Sequence, residues 1–167
     1  HYMKILFSTG CLYYLPLQEI FSIAREAGFD GCDLVIDRHF EKESYKETAK
    51  ECLNILPVYS IHAPFLKMPS WGTKRDAIVR TIDIGRHLGA EVVNFHPPSW
   101  FYMEIDFYKW FRKVIDFQKE FECRDIFLTI ENMPLIGNRI MLAPYMLNDY
   151  KDLIEFGIKR NLYFTFD

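Results

Sequence analysis

Four strand-like runs in this chain repeat one side-chain pattern, and that pattern restricts the fold more than any other feature. Side chains alternate faces along a strand. At one parity the runs read Tyr59-Ile61, Val93-Phe95, Ile126-Leu128-Ile130 and Leu162-Phe164-Phe166, the apolar set expected to pack under helices. At the other parity they read Val58-Ser60-His62, Val92-Asn94-His96, Phe127-Thr129-Glu131 and Tyr163-Thr165-Asp167. Each second triplet ends on a potential metal ligand, with a small polar residue two positions earlier. An open doubly wound sheet has helices over both faces, so both should be apolar. A polar inner face fits a closed parallel barrel, whose site lies at the C-terminal strand ends.

The order of elements agrees. Strand-like runs at 4–8, 32–37, 57–62, 91–96, 125–131 and 162–167 are separated by helical patterns. Leu17, Ile20, Phe21, Ala24 and Ala27 recur at helical spacing before Gly28. Charged helices are predicted over 42–56 and 74–88, the latter closed by Gly89. Trp110, Val114, Phe117 and Phe121 mark the buried stripe of one further helix, and another is predicted over 146–158. Pro64, Pro97 and Pro134 follow His62, His96 and Glu131, where a residue without an N–H helps end a strand. The expected fold is therefore an α/β, partial TIM (β/α)8 barrel with six parallel strands and five helices. Residues 1–167 are expected to form one incomplete domain, with His1-Tyr2 extraneous to a start at Met3.

Composition narrows the class. Half of the 167 residues are apolar, and the 26% charged residues are mixed in sign, which excludes disorder. No apolar run reaches the roughly 18–20 residues of a membrane span. We expect a cytoplasmic protein without a membrane partner. A net charge of -3 gives no general footprint for nucleic acid. Cys11, Cys32, Cys52 and Cys123 form no close pair for zinc or dithiol chemistry and read as thiols in a reducing compartment.

His62, His96, Glu131 and Asp167 together make a set suited to zinc or manganese, with magnesium or cobalt as further candidates. His39, in the loop after the second strand, could reach the same pocket, whereas His87 reads as a solvated residue at a helix C-terminus. Arg38, Lys67 and Arg139 fall in loops after strand C-termini, where they could hold a phosphate. Trp71, Trp100, Phe101 and Tyr13 lie in similar loops and could stack on a sugar ring.

Several stretches carry a family resemblance. They are Lys4-Ile5-Leu6-Phe7-Ser8-Thr9-Gly10, Glu26-Ala27-Gly28-Phe29-Asp30-Gly31 and Ile61-His62-Ala63-Pro64-Phe65, continued by Leu88-Gly89-Ala90, His96-Pro97 and Ile130-Glu131-Asn132. Through these the chain resembles the xylose isomerase-like barrel superfamily, which includes sugar-phosphate isomerases, epimerases and endonuclease IV (AP endonuclease family 2). In the endonuclease IV branch the resemblance implies that His62, His96 and Glu131 share one metal, with Glu131 bridging to a second held also by Asp167. In the epimerase branch it implies one metal on Glu131 and Asp167, with Glu131 doubling as the catalytic base.

There are departures from the endonuclease branch. Phe65 stands where that branch has Tyr, Lys67-Met68 interrupts its Asn-containing loop, and Pro98 replaces a Gly. The superfamily barrel also has eight units and about 250 residues. Three functions follow as expectations. The first is a metal-dependent isomerase or epimerase that moves a proton on a sugar or sugar phosphate through an enediolate. The second is an endonuclease IV-like phosphodiester hydrolase, with DNA the less favoured partner. The third is a partial barrel serving in assembly. A homo-oligomer or a further segment of polypeptide is expected to cover the edge at Leu162–Phe166.

Overall fold

The computed structural model describes residues 3–100, 103–133 and 145–166. Among these it has six strands and six α-helices. The strands are hydrogen-bonded in the order β1-β2-β3-β4-β5-β6, and the pairs β1·β2, β2·β3 and β5·β6 are parallel. This is an α/β fold with the strand order of successive units of a (β/α)8 barrel. The chain divides into two compact units, His1–Val93 and Asn94–Asp167.

In the first unit, β1 (Leu6–Ser8), β2 (Gly31–Val35) and β3 (Val58–His62) alternate with α1 (Leu17–Glu26), α2 (Glu43–Cys52) and α3 (Lys74–Leu88). The register pairs Ser8 with Asp33, Asp33 with Ser60, and Val35 with His62. Ile20, Phe21 and Ala24 bury the inner stripe of α1, and Leu34 and Ile61 are wholly buried. α3 has a capping box: Thr73 Oγ1 accepts from the Asp76 N–H, and Asp76 accepts from the Thr73 N–H. Gly89 ends it at φ 74°, a left-handed conformation that costs glycine nothing. α2 stops at Cys52, short of the expected Leu56, because residues 53–56 tighten into turns with Leu53 N–H bonded to Lys50 O.

In the second unit, β5 (Phe127–Glu131) and β6 (Tyr163–Thr165) accompany α6 (Tyr150–Ile158), and β4 (Val92–Phe95) leads into the unit. The single helix expected around Trp110–Phe121 is instead two, α4 (Ile105–Phe111) and α5 (Phe117–Glu120), so six helices replace the expected five. The break is local. Asp116 is extended at φ -141° and its carboxylate accepts from the Lys119 N–H, which starts a new helix. Both pieces still turn their aromatics inward. Phe111 stacks on Phe156 at 4.7 Å between centroids and meets Phe117 at 5.0 Å. The Gln118 side chain bonds both the N–H and the C=O of Leu128, tying α5 to β5. α6 begins at Tyr150, later than expected, because Asp149 caps it by accepting from the Lys151 N–H.

Candidate metal centre

The site is built on strand ends. His62 is the last residue of β3 and 6% exposed. Its Nδ1 lies 2.6 Å from the Ala63 carbonyl oxygen. A carbonyl can only accept, so Nδ1 carries the proton and Nε2 keeps the lone pair in the neutral ring. That is the arrangement in which metal-ligating histidines are found, with one nitrogen donating to a carbonyl. Strand register supports the position: Val35 pairs with His62, and the Ile36 N–H bonds to the His62 carbonyl.

His96 follows β4 directly, and Glu131 ends β5. His96 Nε2 lies 3.6 Å from Glu131 Oε2, and both side chains are only 10% exposed. Below them, Asn94 Nδ2 donates to Glu131 Oε2, and Thr129 Oγ1 donates to Asn94 Oδ1 at 3.2 Å. A loop steadies His96 from the other side. The Met146 N–H bonds to Pro98 O, Ser99 bridges Tyr145, and the Tyr145 ring meets the imidazole edge-on at 5.5 Å.

His62, His96 and Glu131 each bring one ligand atom to within 4.8 Å of one another. Two imidazole nitrogens and a carboxylate oxygen form a donor set able to coordinate a divalent metal ion. The fit is chemical as well as spatial. One ring has its tautomer set for ligation, and the 3.6 Å pair is at the separation of two donors sharing an ion with bonds near 2.0–2.2 Å. Asp167 and Arg139, as well as Phe101 and Pro134, lie outside the described residues.

The remaining sequence candidates are placed as follows. Arg38 is exposed on a turn after β2, and Lys67 is exposed after β3. Trp71 is 3% exposed, with the Arg80 guanidinium 5.8 Å from its ring centroid, so its face is engaged in packing. Trp100 is 53% exposed and tilts against Tyr108. Tyr13 is exposed and packs edge-on to Tyr14. His39 is exposed and bonded to Asp37, and His87 lies 3.9 Å from Glu47.

Sequence reasoning passed over two residues. Asp33 accepts from Ser60 Oγ and, at 3.3 Å, from Ser8 Oγ, which makes a half-buried polar cluster across β1, β2 and β3. Carrying the parity count back to β2 would have found it, since Asp33 pairs with Ser60. Tyr145 carries no such local signal, because its place beside His96 depends on a bridge between distant loops.

No family model matches the chain. It is 29% identical over 142 residues to an uncharacterized protein of Mycobacterium leprae, covering 78% of this chain and 47% of that protein. It is 31% identical over 103 residues to one of Mycobacterium tuberculosis, covering 58% of this chain and 36% of that protein. The chain thus spans about half, or less, of the curated relatives it matches. A structure described as the probable 3-DHS dehydratase AsbF, involved in petrobactin synthesis in Bacillus anthracis, superposes with TM-score 0.65 at 14% identity. That match covers 99% of this chain and 63% of the other. A xylose isomerase domain protein of Alicyclobacillus acidocaldarius gives TM-score 0.62 at 14% identity, covering 96% and 61%.

The fold is xylose isomerase-like. On that fold, the buried His62, His96 and Glu131 form a donor set that could hold a metal ion. Among the described residues, no helix is long and apolar enough to cross a membrane.

Proposed function

We propose that the protein is a divalent-metal-dependent isomerase or epimerase acting on a sugar or sugar phosphate. The observation that carries this reading is the His96–Glu131 pair, 3.6 Å apart and nearly enclosed, with the His62 nitrogen close by. In this reading His62, His96, Glu131 and Asp167 hold the metal, and residues 1–167 are one incomplete barrel domain of a cytoplasmic protein. Zinc or manganese suits the nitrogen-rich set, with magnesium or cobalt as alternatives. A bound divalent ion would supply Lewis-acid stabilisation of the negative charge that develops on the substrate's oxygens.

Glu131 takes the proton from the carbon bearing a hydroxyl next to the carbonyl. It returns that proton to the former carbonyl carbon, while the hydroxyl proton passes to the other oxygen, so a ketose becomes an aldose with no atom gained or lost. The low exposure of His96 and Glu131 keeps water from competing for that proton. Arg38, Lys67 and Arg139 are the residues for a phosphate, and Trp71 and Trp100 those for the sugar ring. Of these, exposed Trp100 is better placed than buried Trp71 to meet a ligand.

A second reading, endonuclease IV-like phosphodiester hydrolysis, is favoured by the two histidines, because that branch uses both on one metal. The test begins with metal analysis of the purified protein. Aldose–ketose interconversion is then followed on a panel of sugar phosphates beside cleavage of an abasic-site oligonucleotide. Dehydration of a hydroxylated carbonyl compound joins the panel because one structural relative is described as a dehydratase. Cleavage of the oligonucleotide with no turnover of any sugar phosphate would replace the first reading by the second.

A further inference from the structure

The hydrogen bonds beneath Glu131 run in one direction. Asn94 is 4% exposed and Thr129 5% exposed, so neither exchanges freely with water. Asn94 donates through Nδ2 to Glu131 Oε2 and accepts at Oδ1 from Thr129 Oγ1. Thr129 Oγ1 also lies 2.8 Å from Thr165 Oγ1. A threonine hydroxyl has a single proton. Since Thr129 gives its proton to Asn94 Oδ1, the Thr129–Thr165 bond must have Thr165 as donor. The polarity is therefore Thr165 to Thr129 to Asn94 to Glu131, and every donor points toward the carboxylate. Turning the Asn94 amide over would set its oxygen against the Glu131 carboxylate, acceptor against acceptor, so the bond to Glu131 fixes the amide orientation and with it the direction of the chain.

We propose that Asn94 is a positioning residue, locked by Thr129 and Thr165, that anchors Glu131 Oε2 and so fixes the carboxylate for metal binding and proton transfer. This rests on the reading of Glu131 as a metal ligand. Outer partners of a ligand typically contribute 10–100-fold to metal affinity, through orientation and not through contact with the ion. The relay gives a role to Asn94, Thr129 and Thr165, the polar residues two positions before His96, Glu131 and Asp167 on their strands.

Two measurements on the 167-residue chain test this. The first uses metal-free protein and the NMR signals of the Asn94 side-chain amide, assigned by their loss in Asn94→Ala. Slow exchange and a marked shift on Thr129→Val are expected, with no change on Thr129→Ser, which keeps the hydroxyl. The second is Co2+ affinity. Asn94→Ala and Thr129→Val should each weaken it by about tenfold. The double variant should be no weaker than Asn94→Ala alone, because Thr129 acts through Asn94. Additive losses, or an amide signal that ignores Thr129→Val, would overturn the relay. If the wild type takes up no Co2+, the metal reading fails, and the amide signals in metal-free protein still decide whether the relay exists.

Discussion

His96 Nε2 stands 3.6 Å from Glu131 Oε2, from the end of one strand to the end of another, with both side chains 10% exposed. The imidazole and the Asn94 amide both face the same carboxylate oxygen, Glu131 Oε2. A cation would meet there one anionic oxygen and two nitrogen bases. Among these three described residues, Glu131 alone brings a negative charge to attract a metal.

Replacing Glu131 by Gln keeps the volume and removes the charge. We expect the fold to survive and Co2+ or Zn2+ affinity to fall by more than the roughly 10–100-fold typical of an outer partner. Equilibrium dialysis with metal analysis measures it. Unchanged stoichiometry and affinity in Glu131→Gln would place the metal elsewhere.

The cysteines should differ in reactivity. Burial, with lesser charge effects, pushes the Cys32 thiol up to about 12 and the Cys52 thiol up to about 11. Cys11 is exposed and Cys123 half-buried. Thiolate is the reactive form, so a disulfide reagent at pH 8 should modify Cys11 and Cys123 in native protein and Cys32 and Cys52 only after unfolding. Peptide mapping of the modified chain reads this directly; rapid labelling of Cys32 in native protein would contradict it. The linkage has a definite sign. The unfolded Cys32 thiol ionises first, near its ordinary 9.0, so its contribution to stability is full below that pH and is lost as pH climbs toward about 12.

Gly157 sets two effects against each other. Alanine in a helix is favoured over glycine by about 1 kcal/mol. A Cβ at 157, however, would come to 2.5 Å from the Phe164 ring and 3.1 Å from the Leu162 carbonyl oxygen. Overpacking of that kind costs about 1–3 kcal/mol, and part of it is backbone that cannot turn aside. Gly157→Ala should therefore lower stability in a urea titration. A rise in the midpoint would show that Phe164 swings clear at no cost.

The capping box of α3 gives a test away from the site. Thr73→Ala removes the hydroxyl that accepts from Asp76 N–H and should cost about 1 kcal/mol. Bonds from the Thr73 hydroxyl, then from its N–H, hold the Asp76 carboxyl below its ordinary value of 3.8. The stabilisation that Asp76 provides is thus complete above pH 3.8 and is lost as pH falls further. In Thr73→Ala the acid limb of the stability profile should flatten, while Co2+ affinity stays unchanged. An equally steep acid limb in the variant would place its cause at another carboxylate.

The sequence by itself determined the side of each strand on which a residue lies, because a period of two is a property of the local backbone. Order along the chain alone places Ser60 and His62, Asn94 and His96, and Thr129 and Glu131 on one face, and it carries the stop signals at Gly89 and the strand-end prolines. The distances needed the folded chain. Thr129 reaches Asn94 across 35 residues and Thr165 across 36, and only inter-strand register brings such partners within a hydrogen bond. Register also joined Asp33 to Ser8 and Ser60, and a bridge between loops set Tyr145 against His96. The division of the expected helix at Asp116 was a competition between a continuous apolar stripe and a local cap. Packing of Phe111 and Phe117 on Phe156 satisfied the stripe without a continuous helix, so the cap prevailed. Local periodicity is written residue by residue; which donor meets which acceptor depends on every strand and loop between them.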